Sequence, residues 1–139
     1  MLTHTIRPRF CDTDALGHIN NTVIPVWFLE AREPVLRMFA PDADLQRGGI
    51  AVVRVELDYL AETRFGEDVS IHTVVSHIGN SSFRLAQEVH QGDTVTARGL
   101  TTLVNFDARS RRAAPIPDDA RAALQAHWHA ASNEGTPQE

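Results

Sequence analysis

Cysteine is almost absent from the sequence, and aromatic residues are few. Cys11 is the only cysteine, and Phe, Trp and Tyr together make up 6% of the 139 residues. A single cysteine excludes an intramolecular disulfide and a zinc site built from cysteine ligands. The histidines show no spacing with carboxylates that indicates a metal site. We therefore expect packing alone to hold the fold, and no metal.

Long hydrophobic runs and positive charge are also lacking. No stretch approaches the roughly 20 apolar residues that a membrane-spanning helix needs. The chain has 13 Lys and Arg against 18 Asp and Glu, for a net charge of −5. Nucleic acids and anionic membranes bind clustered cations. We expect neither as a partner, and favour a small molecule.

The N-terminus has no basic start followed by a long apolar run and a cleavage site, the features of a secretory signal. This predicts a cytoplasmic location. With 139 residues, of which 42% are hydrophobic and 22% charged, the chain is in the range of one globular domain. We predict a single domain over residues 1–131 and a flexible C-terminal tail over residues 132–139.

Helical periodicity is clearest between residues 23 and 39, where apolar side chains recur at steps of three and four. The pattern predicts one long helix. The polar residues 20–22 can cap its first turn, and Pro34, deep in the pattern, predicts a kink. A short C-terminal helix is predicted over residues 120–129, after Pro117.

Alternating apolar and polar residues predict five strands. They cover residues 2–10, 53–59, 69–75, 83–89 and 95–106. The short turns between the last four predict an antiparallel meander, because parallel neighbours would need long crossovers. Such a sheet has one apolar face to bury, and the long helix is its natural cover. The fold class predicted is α+β.

The turn between the first strand and the helix holds the densest group of polar residues. Within ten residues it contains Asp12, Asp14, Gly17, His18, Asn20 and Asn21. The helix N-terminus carries a partial positive charge that can stabilise an oxyanion. The same residues also suit a non-catalytic turn, with aspartate and asparagine as caps and glycine at a left-handed position. Composition leaves both interpretations open.

This turn resembles the signature of hotdog-fold thioesterases of the 4-hydroxybenzoyl-CoA thioesterase type. The pattern R-F-x-D-x-D-x-x-G-H-x-N-N is matched at every fixed position, starting from Arg9 and Phe10. Residues 55–61, 64–68, 78–83 and 112–117 are also similar to the family, so the resemblance covers nearly all the chain. It implies five antiparallel strands wrapped around one long helix, and homodimers or homotetramers with active sites at the subunit interface.

The resemblance further implies an acyl-CoA thioesterase that needs no cofactor beyond the coenzyme A of its substrate. Asp14 matches the catalytic carboxylate, which either activates water as a general base or attacks the thioester to form a mixed anhydride. Backbone N–H groups from Gly17 to Asn21 would stabilise the oxyanion. His18 would orient a neighbour, donate to the carbonyl or fill space, and Asn21 would hold substrate or cap the helix.

Coenzyme A requires cations for its phosphates and a groove for its pantetheine arm. The candidate substrate-binding residues are Asn20, Trp27, Arg54, Ser81, Ser82 and Arg84. The arginines also fit solvated surface charges, and Trp27 fits a core residue. Glu30 is a second candidate carboxylate, because some hotdog enzymes carry theirs on the helix.

Two other functions remain open. One is a module that binds acyl-CoA or acyl-carrier protein with little or no hydrolysis, since the same fold hosts non-catalytic members. The other is a structural or interaction protein, which would leave residues 12–21 with no role beyond turn formation. The presence of Asp14 in a complete motif favours the hydrolase.

Overall fold

A computed structural model describes residues 1–40 and 48–129 of the chain. Its strands are β1 (Leu2–Ile6), β2 (Gly48–Tyr59), β3 (Val69–Ile78), β4 (Ser82–Gln91), β5 (Thr94–Asp107) and β6 (Arg112–Ala113). Its helices are α1 (Val23–Ala31), α2 (Glu33–Phe39) and α3 (Asp118–Gln125), with a 3-10 turn at Phe10–Asp12. The predicted tail over residues 132–139 lies outside the described residues, so the division between domain and tail stays a prediction.

The sheet is antiparallel, as predicted, with the strand order β1-β3-β4-β5-β2 and the two-residue β6 beside β5. The predicted meander is wrong for β2, which pairs with β5 and not with β3. Residues 60–68 therefore carry the chain past β5 and β4 to reach β3. Alternation along a strand shows which face is buried, but it does not show which strands are neighbours.

The helical segment confirms the predicted kink but not a single long helix. Arg32 separates α1 from α2, and its backbone N–H donates to the carbonyl oxygens of Phe28 and Leu29, both at 3.1 Å. Pro34 lies in the first turn of α2, where its missing N–H removes no helical hydrogen bond. The α3 helix ends at Gln125, four residues before the predicted end.

α1 and α2 cover one face of the sheet, which we call the inner face. A first core cluster places Ile24, Trp27 and Phe28 of α1 against strand residues that include Ile71 and Val89. A second cluster joins α2 and α3 to the other half of the sheet, and Phe39 stacks on Phe83 with ring centroids 5.3 Å apart. The remaining face of the sheet, the outer face, carries the alternate residues of each strand.

The first strand is shorter than predicted, ending at Ile6, because the chain turns into the 3-10 segment at Phe10. β2 is longer than predicted, and most of its residues are exposed. Val53 is 61% exposed and Val55 is 54% exposed. β2 is the last strand of the sheet, and its pairing with β5 is interrupted by a bulge between Val52 and Arg54. An apolar edge strand is therefore open to another chain.

Candidate active site

Asp14 lies in the loop between the 3-10 turn and α1, where the loop closes on its side chain. Asp14 Oδ1 accepts the backbone N–H groups of Leu16 at 2.9 Å and His18 at 3.3 Å. The Asp14 N–H donates to the His18 carbonyl at 2.8 Å, and the Gly17 N–H donates to the Asp14 carbonyl at 3.1 Å. Asp14 Oδ2 accepts no hydrogen bond from any residue of the described ranges. The half-buried carboxylate is thus held by one oxygen.

Gly17 gives the loop its tight shape. Its φ of +82° lies in the left-handed region that favours glycine, as the turn interpretation predicted. A Cβ built on Gly17 would meet nothing within 4 Å. The need for glycine here is therefore conformational, and the space beside its backbone stays open to a small molecule.

Asp12 is buried and holds the other side of the same loop. It is 2% exposed, and its carboxylate accepts the Arg9 backbone N–H at 2.8 Å and the Arg9 guanidinium at 3.0 Å. This hydrogen bond and the charge of Asp12 raise the pKa of Arg9 above its ordinary value. The Asn20 N–H donates to the Asp12 carbonyl at 2.8 Å. These contacts give Asp12 a structural role in the loop.

The start of α1 is fixed by two neighbouring asparagines. Asn20 Oδ1 accepts the Thr22 N–H at 2.9 Å and the Thr22 hydroxyl at 2.6 Å. The carbonyl oxygen of Asn21 accepts the Tyr59 hydroxyl at 2.6 Å, which ties the helix start to the end of β2. The Asn21 side chain is exposed and Asn20 is half-buried. Both lie close in sequence to Asp14, at the positive end of α1.

A second segment, residues 62–64 in the connection between β2 and β3, lies along this loop and was not predicted as part of the site. The Ile19 N–H donates to the Thr63 carbonyl at 2.8 Å, and His18 forms an isolated antiparallel bridge with Arg64. His18 Nε2 lies 2.9 Å from Glu62 Oε2. Glu62 is 44 positions from His18, and no local sequence signal marks it. The contact depends on the long connection between β2 and β3.

Gln91 anchors that second segment to the end of β4. Its Oε1 accepts the Arg64 N–H at 2.8 Å, and its Nε2 donates to the carbonyls of Arg64 at 2.8 Å and Glu67 at 2.9 Å. The sequence does carry a signal for this residue. Gln91 continues the buried alternation of β4, so a polar side chain in the inward register predicts an internal hydrogen-bonding role.

Trp27 and Glu30, the two candidate site residues on α1, are not placed beside Asp14. Trp27 is 4% exposed and packs in the first core cluster, so it offers little surface to a substrate in this single chain. Glu30 is exposed and lies 2.5 Å from His4 Nε2 of β1. Glu30 is seven residues beyond the start of α1, which places it about 10 Å along the helix axis.

Ser81 and Ser82 lie at the β3–β4 turn, the opposite end of the sheet from Asp14. β4 begins at Ser82 and ends at Gln91, whose side chain holds the loop beside His18. At about 3.3 Å per residue, the two ends of this strand are about 30 Å apart. Within one chain, these serines therefore cannot contact the same part of a bound substrate as Asp14.

Arg54 and Arg84 share the outer face of the sheet. Both are cross-strand neighbours of Thr102, Arg54 on β2 and Arg84 on β4. Together with Glu56 and Leu100 these residues line a shallow depression, and Arg54 forms an ion pair with Glu56. Asp14 precedes the helix that covers the inner face. The structure therefore brings the two arginines together, but not with Asp14 of the same chain.

Residues 1–40 and 48–129 contain no cluster of three or more His, Cys, Asp and Glu side chains placed to hold a metal ion. None of the helices in these ranges has the length and apolar character needed to cross a membrane.

The antiparallel sheet with its covering helices recurs in a known group of proteins. A family model described as Thioesterase-like superfamily matches residues 8–124. The chain belongs to this superfamily. The match spans the Asp14 loop, strands β2 to β6 and most of α3, so it covers the candidate site residues and leaves out β1.

Individual relatives agree with the family. The chain is 28% identical to a 1,4-dihydroxy-2-naphthoyl-CoA hydrolase of Synechococcus sp. (strain CC9605), over 84% of this chain and 83% of that protein. A predicted thioesterase from Bacillus stearothermophilus superposes with a TM-score of 0.89 at 40% identity, over 92% of this chain and 96% of that one. A thioesterase from Thermus thermophilus, complexed with coenzyme A and Zn, gives a TM-score of 0.79 at 30% identity, over 88% of this chain and 96% of that one.

The hotdog fold and the thioester-hydrolase class predicted from the sequence are confirmed by these similarities. The helix that the sheet wraps is divided at Arg32, which is a correction in helix number and not in fold.

Proposed function

We propose that the chain hydrolyses acyl-CoA thioesters with Asp14 as the general base. The observation that carries this proposal is the asymmetric binding of the Asp14 carboxylate. Oδ1 accepts two backbone N–H groups, while Oδ2 has no partner among the described residues. One oxygen fixes the orientation of the group, and the other remains available to accept a proton from water.

The proposed reaction uses water as the nucleophile. Asp14 Oδ2 takes a proton from the water, the oxygen bonds to the thioester carbonyl carbon, and the carbonyl oxygen becomes an oxyanion. The proposed place for the oxyanion is the positive end of α1. The N–H groups of residues 17–20, which the sequence suggested as its donors, already donate within the chain and are not free for this role. Collapse of the intermediate breaks the C–S bond, and the thiolate of coenzyme A takes the proton. No cofactor enters these steps.

The second part of the proposal is a homodimer that joins two sheets through β2. The strand is at the sheet edge, and Val52, Val53, Val55 and Tyr59 are each 46% or more exposed. Exposed apolar surface on an unpaired edge favours association with another chain. A two-fold axis across paired β2 strands is the simplest closed arrangement.

Such a dimer would bring distant candidate residues together. The Ser82 end of β4 lies level with the first half of β2, since Ser82 pairs with Val104 and Val104 pairs with Ala51. The Asp14 loop is joined to the other end of β2 through the Tyr59 hydroxyl. Antiparallel β2–β2 pairing inverts one chain, so Ser81 and Ser82 of one subunit would approach the Asp14 end of the other.

We propose Arg54 and Arg84 as the cations for the phosphates of coenzyme A. They flank Thr102 on one face, and guanidinium groups bind phosphate through several N–H donors.

Trp27 would act only by shaping the wall behind the helix start, because it is buried. The acyl group we favour is aromatic, because the curated relatives are named as 1,4-dihydroxy-2-naphthoyl-CoA hydrolases. The cytoplasmic location stays a prediction.

Release of free thiol from a substrate panel tests the proposed function. The panel contains 1,4-dihydroxy-2-naphthoyl-CoA, benzoyl-CoA, hexanoyl-CoA and a hexanoyl acyl-carrier protein. We expect turnover of CoA thioesters, with an aromatic substrate giving the highest kcat/KM. Tight binding of acyl-CoA without thiol release would support the non-hydrolytic module instead. If the chain neither binds nor hydrolyses any member of the panel, the proposal is overturned.

A further inference from the structure

Arg121 of α3 reaches the β3–β4 turn, the segment that carries Ser81 and Ser82. Its Nη2 donates to the carbonyl oxygens of Gly79 at 2.8 Å and Asn80 at 3.2 Å. We propose that Arg121 is a positioning residue, which fixes this turn and thereby places the two serines for substrate binding. The fixing of the turn stands on these hydrogen bonds, and its effect on the substrate rests on the proposed function.

The α3 helix gives Arg121 a fixed starting point. Ala120 and Leu124, on either side of it along the helix, are buried in the second core cluster. The Arg121 N–H donates to the Pro117 carbonyl at 2.8 Å, in the first turn of the helix. The backbone beneath the guanidinium is therefore set by packing, and the side chain reaches the β3–β4 turn from an anchored helix.

Two further hydrogen bonds hold the turn against the same part of the chain. The Ile116 N–H donates to the Asn80 carbonyl at 2.9 Å, and the Asn105 N–H donates to the Ser81 carbonyl at 2.7 Å. Together with Arg121, these groups bind the three successive carbonyl oxygens of residues 79–81. All the donors come from β5 or from the segment that follows it. The orientation of the turn backbone is therefore imposed from that side.

The serine hydroxyls of the turn are left for a ligand. Ser81 and Ser82 are half-buried, and neither hydroxyl hydrogen-bonds to a residue within 1–40 or 48–129. A hydroxyl both donates and accepts, so it suits the amides and phosphates of an acyl-CoA. A turn whose backbone is already fixed loses little conformational freedom when its side chains bind, and this preorganisation favours binding.

A single nitrogen of Arg121 serves both carbonyls, which decides the choice of variants. Methionine keeps much of the length of the side chain but donates no hydrogen bond, whereas the ammonium of lysine carries three donors on one nitrogen. Arg121→Met should therefore release the turn, and Arg121→Lys should hold it in part. Arg37→Met is the matched control, because Arg37 is exposed on α2 and its ion pair with Glu33 lies within that helix.

Backbone order parameters from ¹⁵N relaxation test the fixing of the turn without any activity assay. We expect values of about 0.85 for residues 79–82 in the native chain, as for rigid backbone, and a fall toward about 0.6 in Arg121→Met. Arg121→Lys should recover part of the loss, and Arg37→Met should match the native chain. Residues 85–89, in the middle of β4, are the internal reference and should not change.

The Arg121→Met variant should fold, because Ala120 and Leu124 still pack α3 in the core. Native order parameters for residues 79–82 in this variant would overturn the proposal.

Kinetics test whether the fixed turn serves substrate binding. A lost interaction that is equally strong in the ground state and the transition state raises KM and leaves kcat unchanged. Because the turn would have to be ordered anew on binding, we expect Arg121→Met to raise KM about fivefold, with kcat within about twofold of native. Arg37→Met should change neither quantity. A fall in kcat at unchanged KM would contradict the positioning role.

A comparison in a second background tests whether Arg121 acts through the serines. In a chain that already carries Ser81→Ala and Ser82→Ala, Arg121→Met should raise KM less than about twofold further, because residues that act through one another are not additive. A full fivefold further rise would contradict the proposal. If the native chain released no thiol, the proposed function would fail, and the order parameters would still decide whether Arg121 fixes the turn.

Discussion

Gly99 of β5 lies directly against the ring of Phe28 on α1. A Cβ added at Gly99 would be 2.7 Å from Phe28 Cε2 and 3.1 Å from Cδ2. Phe28 is 3% exposed and packed in the first core cluster, so its ring has little room to move away. The absence of a side chain at Gly99 thus allows α1, the helix that begins beside Asp14, to approach the sheet.

The substitution Gly99→Ala should therefore destabilise the protein. An extra methyl group in a packed core costs about 1–3 kcal/mol, and we expect that decrease in the free energy of unfolding. Urea denaturation measures it. Gly49→Ala is the matched control, because its added Cβ would lie at an ordinary 3.9 Å from Leu36 Cδ1. Equal stability of the two variants would contradict the close packing of α1.

Replacing Gln91 with leucine should loosen the segment beside His18. Gln91 is 7% exposed, and its three hydrogen bonds to residues 64 and 67 would all be lost. These hydrogen bonds are partly buried, and leaving their backbone groups unpaired costs at most about 1–3 kcal/mol. We expect faster hydrogen exchange of the Arg64 amide and a lower kcat. Gln125→Leu, on the exposed side of α3, should change neither quantity.

Acid should destabilise the outer face of the sheet. The rings of His72 and His90 stack with centroids 3.9 Å apart, and Glu88 accepts from His90 and Arg98. Burial, followed by the charge of His90, lowers the pKa of His72 below its ordinary 6.5. Burial opposes ionisation of Glu88, but the hydrogen bonds from Arg98 and His90 outweigh it and leave the pKa of Glu88 below 4.5.

Both shifts have the same sign. A group whose pKa is lower in the folded chain binds fewer protons when folded, so its stabilisation is lost as the pH falls. The contribution of His72 is complete above about pH 6.5, and that of Glu88 above about pH 4.5. We expect Tm to fall in two stages, one as the pH drops below about 6.5 and one as it drops below about 4.5. His72→Gln should remove the upper stage, whereas the same change at the exposed His77 should leave it in place.

A charge on the edge strand should separate the proposed dimer. Val55 is 54% exposed on β2. Val55→Glu in both subunits would place like charges on one face of the paired β2 strands, which disfavours their pairing. We expect light scattering after size-exclusion chromatography to show a change from dimer to monomer, with loss of thiol release. Ala122→Glu on the exposed side of α3 should leave both unchanged. A native chain that is monomeric at micromolar concentration would contradict the shared site.

Local sequence signals predicted the parts of the structure that depend on local physics. The start of α1 follows from the helical periodicity, although Thr22 makes no side-chain cap of the kind expected. The kink before Pro34 follows from the proline ring, and the left-handed Gly17 from its missing Cβ. The position of β2 beside β5 could not be predicted, because alternation gives a face and not a neighbour. Glu62 was missed for the same reason, since its contact with His18 is formed by a connection that passes two strands.

The same distinction between local and long-range contacts applies to the candidate site. Asp14, His18 and Asn20 lie in one loop, and their proximity follows from their spacing alone. Ser81 and Arg84 lie far from that loop in one chain, and only pairing with a second chain would bring them near. The sequence predicted which residues share the loop, whereas the position of the substrate depends on tertiary and quaternary contacts.

The kinetics of Asp14→Asn test the central claim most directly. Asparagine keeps the shape and can still accept the N–H groups of Leu16 and His18 through its carbonyl oxygen, but it cannot take a proton from water. We predict that kcat for thiol release falls by about 100-fold or more while the circular dichroism spectrum and KM remain close to native values. Turnover within a few-fold of native in a folded Asp14→Asn variant would contradict the account.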